Sequence, residues 1–320
     1  MYDLVVDIGS IDLSKAITSI SGMFFPEIDK EDKRKFSELK GIPGWNILFG
    51  DDPYSCGIVR GDTNIRQYQN MIYSKSTYIY GALKNSGKIL KTLLNKKEVD
   101  EINVNDSRAS IYEYKNLLVL GGPVANNLTK DICGYKDIEI GDGKTIPIFQ
   151  ENSKLRWGFY LGNENGWGYW GDNKRTFARL NTDGKIEPEH PLYGIIGKHE
   201  KPIAPIIEDE RLDLDMLMVV RIPNFLRPKL NGTITIIGGM HGSALEAFFN
   251  LDSIGSNITM LNDSIGINQY FQMLVPAKRN VFTHNSKYDF KMDWEGCPNW
   301  RPRFYALNEK DFRIDDNPAI

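Results

Sequence analysis

At 320 residues, with 41% hydrophobic and 25% charged side chains, the chain can form one large or two medium cores, and it is too apolar to be disordered. A formal net charge of −3 gives no basic surplus for holding a polyanion, so nucleic acid is not an expected partner. Three widely separated cysteines without a C-x-x-C pair exclude a disulfide framework and a zinc site, and they fit a reducing compartment.

In chain order, the β-branched run at 4–8 reads as a strand. The N-terminus has neither the positive region nor the apolar run of a signal peptide. No stretch approaches the roughly 20 apolar residues of a membrane span. The expected location is cytoplasmic, with no membrane partner. A charged stretch at 27–40 predicts a helix, stopped by Gly41, Pro43 and Gly44. Trp45–Phe49 is a strand candidate, and 51–66 reads as loop. A helix is expected at 66–71. After a break near Gly81 comes a lysine-rich amphipathic helix, with Leu83, Ile89, Leu90, Leu93 and Leu94 on its buried face. That pattern leaves Lys84, Lys88, Lys91 and Lys96 in water.

Leu117 to Leu120 is an apolar run without alternation, as in a parallel strand buried on both faces. Gly121 and Gly122 follow it, then a helix at 128–133. Residues 138–193 are dense in Gly, Asn, Asp and Trp and read as a β-rich insertion, with hairpin turns at 141–143 and 183–184. Trp157, Trp167 and Trp170 belong to it, either packing the insertion or stacking on a sugar or base. Asp209, Glu210, Asp213 and Asp215 read as a solvated acidic turn. The parallel pattern resumes at 216–224 and again at 233–237, where Gly238 and Gly239 lead into a helix that buries Ala244, Leu245, Ala247, Phe248 and Phe249. One more helix is expected at 266–274, then a polar, aromatic tail around 294–300.

The fold class expected is α/β: a Rossmann-like three-layer domain with a mainly parallel sheet, plus the Trp/Gly-rich β insertion. The divisions are an N-terminal α/β region at 1–110, the Rossmann-like domain at 111–265 with its insertion at about 138–205, and a C-terminal extension at 266–320. In such sheets ligands bind at the carboxyl ends of the strands. The first turn of a following helix offers unpaired N–H groups, and glycine lets backbone approach a phosphate. The candidate ligand-binding residues are Gly121, Gly122, Asn126, Thr129, Gly238, Gly239, His241, Gly242 and Ser243. The alternative for the same residues is architecture alone, with Asn126 and Ser243 as helix caps. Neither turn carries G-x-x-x-x-G-K-[ST] or a clean G-x-G-x-x-G, which disfavours a P-loop NTPase and a dinucleotide dehydrogenase. The four histidines, His190, His199, His241 and His284, sit in no nucleophile signature and no metal-ligand spacing. No catalytic residue, metal or cofactor is indicated.

The string Gly121-Gly122-Pro123-Val124-Ala125-Asn126 resembles a G-G-P-x-x-N module found in archaeal surface-layer proteins and other Rossmann-like domains. Ile222, Pro223 and Asn224, then Gly238 and Gly239, take the places of that module's later turns. The resemblance covers about 116–250 and implies a Rossmann-like fold without a particular activity. Separately, Asp7-Ile8-Gly9-Ser10 with Lys15 is similar to the first phosphate motif of actin-like ATPases, though no middle motif follows. Three functions stay open: a sensor or enzyme binding a nucleotide-type or other anionic small molecule at the Gly-Gly turns, a protein-interaction module of the kind a homo-oligomer would use, and an actin-like ATPase.

Overall fold

Aliphatic runs with little alternation build the centre of the molecule, because they are covered on both sides. The computed structural model describes residues 41–60, 72–94, 101–103, 108–123, 125–141, 144–150, 152–162, 192–197, 203, 206–208, 211–240, 242–279, 290–293 and 301–312. The elements expected at 4–8, 27–40 and 66–71 lie outside these residues, as do Asp7 to Ser10, the 183–184 turn, Trp167, Trp170 and the 294–300 tail.

The helices are α1 (Trp45–Phe49), α2 (Ile72–Leu94), α3 (Asn127–Ile132), α4 (Gly242–Phe248) and α5 (Ile254–Ile265). The first strands are β1 (Cys56–Arg60), β2 (Glu101–Asn103) and β3 (Asn116–Leu120). Two hairpins follow, β4 (Tyr135–Gly141) with β5 (Lys144–Phe149) and β6 (Trp157–Gly162) with β7 (Leu192–Gly197). The last six are β8 (Ile206–Glu208), β9 (Arg211–Pro223), β10 (Thr233–Gly239), β11 (Phe271–Arg279), β12 (Phe290–Met292) and β13 (Arg303–Ala306).

Nine strands form one mixed sheet in the order β12-β11-β9-β10-β3-β1-β2, with β13 on β11 and β8 on β9. β2, β1, β3 and β10 run parallel. β9 is antiparallel to β8, β10 and β11, and β11 is antiparallel to β12 and β13. Strands from all three expected divisions therefore share one sheet.

This corrects the Rossmann-like expectation, since most pairings are antiparallel and, among the described residues, four of the five helices lie on one face. On that face α1, α2, α4 and α5 pack on Ile58, Leu118, Leu120, Val219, Ile237 and Met273. The opposite face, with Val59, Val119, Met218, Ile236 and Leu274, is covered by the two hairpins and the short α3. β9 explains the mistaken reading. An antiparallel strand roofed on both sides lacks alternation as completely as a parallel one, and all residues from Leu214 to Ile222 are buried.

Other local expectations change for similar reasons. Trp45–Phe49 is helical, with Ile47, Leu48 and Phe49 facing the core. The supposed loop at 51–66 contains β1, a five-residue central strand too short to stand out among turn formers. α2 runs through Gly81 without a break. Its Leu83, Ile89, Leu90 and Leu94 are buried as expected, but Lys91 is buried too. The region expected as a helix at 266–274 holds the end of α5's turn and the start of β11.

Candidate functional site

The two Gly-Gly turns end neighbouring parallel strands. β3 and β10 pair in register from Leu117 with Ile234 to Leu120 with Ile237, and Gly121 N–H donates to the Ile237 carbonyl at 2.9 Å. The chain then diverges. β3 feeds α3, whose Leu128 packs on the hairpin-covered face, whereas β10 feeds α4 on the helix-covered face. β1 likewise feeds α2 on the helix-covered face. Neighbouring strands whose connections leave to opposite sides open a crevice at their carboxyl ends.

The first turn is held from within. Gly121 has φ 104°, a conformation that favours glycine. Asn126, 1% exposed, caps α3: its Oδ1 accepts from Leu128 N at 3.0 Å and Thr129 N at 3.4 Å, and its Nδ2 donates to the Leu120 carbonyl at 3.0 Å. The Thr129 hydroxyl donates to the Gly121 carbonyl at 2.9 Å. These side chains build the turn, and each is fully engaged in doing so.

At the second turn Ser243 is also engaged. Asp215 on β9 is fully buried, so it does not belong to a solvated acidic turn. Its Oδ2 accepts from the Ser243 hydroxyl at 2.8 Å and from Ala244 N at 2.9 Å, while Oδ1 accepts from Met216 N at 2.8 Å. The protein's own carboxylate thus sits where an external anion was expected, at the first N–H groups of α4. Gly239 and Gly242 are partly exposed beside it, and His241 lies outside the described residues.

Phe159 on β6 was not visible as a site residue. A Cβ placed on Gly122 would meet its ring at 3.5 Å, and one on Gly238 would meet the ring at 3.2 Å and Gly122 N at 3.0 Å. The glycines therefore admit both the close approach of the two turns and the Phe159 ring. Phe159 is fixed in turn, because its N–H donates to the Tyr135 hydroxyl at 2.5 Å. Burial pushes the Tyr135 phenol well above its usual range, so it stays protonated. Gln272 on β11 anchors the same hairpin. Its Oε1 accepts from Arg156 N and Trp157 N, each at 2.9 Å, and its Nε2 donates to the Trp157 carbonyl at 2.6 Å. Trp157 is buried, so it packs the insertion and offers no open stacking face. No sequence signal reports a ring that arrives only when a hairpin folds over the sheet. An acid placed just before the apolar run of β9 was the available clue to Asp215.

Among the described residues, no group of three His, Cys, Asp or Glu side chains is placed to hold a metal ion, and no helix is long and apolar enough to cross a membrane. No family model matches this chain, and neither a curated protein nor a solved structure shows significant similarity to it.

Proposed function

We propose that the protein binds a nucleotide-type or other anionic small molecule in the crevice between the Gly121-Gly122 and Gly238-Gly239 turns. The observation that carries this reading is the divergence of the β3 and β10 connections to opposite faces of the sheet, directly after adjacent parallel strand ends. Because Asn126, Thr129 and Ser243, and the N–H groups of Gly121, Met240 and Ala244, are committed to the fold, recognition falls to the partly exposed backbone of Gly122, Gly239 and Gly242. Backbone recognition suits phosphate groups, which need donors at close range more than particular side chains.

Isothermal titration against a panel of nucleoside mono-, di- and triphosphates, followed by hydrogen–deuterium exchange with whichever binds, tests this. Protection is expected in the 120–126 and 237–243 segments. Absence of heat across the panel, or protection confined to other segments, overturns the reading.

A further inference from the structure

The opposite end of the sheet carries a buried cation that forms no salt bridge among the described residues. On the helix-covered face of β9, Leu217 and Val219 are followed by Arg221, which is 5% exposed. Its neighbours across the sheet are Thr235 on β10 and Phe271 on β11. Thr235 donates its hydroxyl to the Ile47 carbonyl at 2.7 Å, which places α1 over this part of the sheet. The Arg221 Nε is shut off from water and has no hydrogen-bond partner. Asp51 and Tyr270 are close enough to act on the guanidinium electrostatically, but Asp51 is already held by Lys115 Nζ at 3.0 Å. Burial works against the charge, lowering the Arg221 pKa, and the influence of Tyr270 and Asp51 opposes it. A guanidinium keeps its proton in proteins, so the remedy for its desolvation is an anion.

We propose that Arg221 anchors an oxyanion site for a carboxylate or phosphate group, at the end of the sheet away from the Gly-Gly turns. Thr235, level with Arg221, lies about 13 Å along β10 from Gly239 at the usual strand rise. The Asp51–Lys115 pair stands beside the start of β3, at its far end from Gly121. An incoming oxyanion supplies what Asp51, bound to Lys115, does not: two acceptors in the plane of the guanidinium fork. The inference is independent of the crevice reading, because it uses none of the same residues.

The test is thermal unfolding of the full chain in sodium phosphate and in sodium acetate, each against sodium chloride of equal ionic strength. The wild-type midpoint is expected to rise by about 2–5 °C at saturating oxyanion, with the more effective salt identifying the group preferred. Arg221→Met is expected to be at least as stable as wild type in chloride and to lose the oxyanion-dependent rise. A wild-type midpoint indifferent to both oxyanions overturns the proposal, as does an Arg221→Met variant that responds as wild type does. Should Arg221→Met fail to fold, calorimetric titration of the wild type with inorganic phosphate and with acetate, followed by hydrogen exchange in the presence of the salt that binds, decides: protection around 45–51 and 219–223 supports the site, and no heat with both, or protection confined to the Gly-Gly turns, overturns it.

Discussion

Burial pushes the Cys56 thiol up to about 12, and the nearby Asp52 charge adds to the effect. Cys133, equally enclosed, is also raised by burial. Both thiols are therefore neutral in the folded protein well into alkaline conditions, whereas in the unfolded chain they ionise near their ordinary value of 9.0. The sign follows from proton linkage: between the two pKa values the unfolded state holds fewer protons, so stability falls as pH rises. The Cys56 contribution is fully present below about pH 9 and drains away towards pH 12. Urea midpoints measured from pH 8 to 11 are expected to decline less steeply in Cys56→Ala than in wild type. At pH 8 neither thiol should react with an aromatic disulfide until the chain unfolds. Legibility at this scale was uneven. Asn126 and Ser243 have the chemistry of helix-capping residues in any sequence, but only the folded chain shows that Ser243 spends its hydroxyl on Asp215, 28 residues away.

At the scale of elements, the first turn of α4 is held by a side chain from β9. The Asp215 carboxylate bonds Ser243 and Ala244 and faces the positive end of the helix. Asp215→Ala leaves a buried N–H of Ala244 without its acceptor and is expected to cost about 2–4 kcal/mol by urea denaturation. Ser243→Ala should cost about 1 kcal/mol. The double variant should fall short of their sum by at least about 0.5 kcal/mol, and strict additivity would show that the bond contributes nothing of its own. Elements with strong local signals were readable from the chain: α3 after its Asn cap, the buried side of α4, and β3 and β10 as strands. What failed was direction and cover. The run from Met216 to Val220 announces burial on both faces, but burial is the same whether neighbours run parallel or antiparallel. Likewise Leu117 to Leu120 report a roof on each side without saying that one roof is helical and the other is made of hairpins.

At the scale of the whole molecule, β9 joins the two halves of the sheet. Its thirteen residues pair with β8 and β11 in the antiparallel half and with β10 at the margin of the parallel half. The pairing of β9 with β10 closes over a short link, whereas the parallel pairing of β10 with β3 must bring together Ile234 and Leu117, more than a hundred residues apart in the chain. Closing the longer loop costs more chain entropy before any contact rewards it. The molecule should therefore assemble in a fixed order, with the β8–β9 and β9–β10 pairings first and the β3–β10 seam late. In pulse-labelled hydrogen exchange during refolding, amides of Met218 and Val220 are expected to gain protection before those of Leu118 and Leu120. Simultaneous protection would indicate a single concerted step. The two glycine turns lie on that seam, so they come together only when the last large loop has closed, and a half-assembled chain would lack the binding site proposed there.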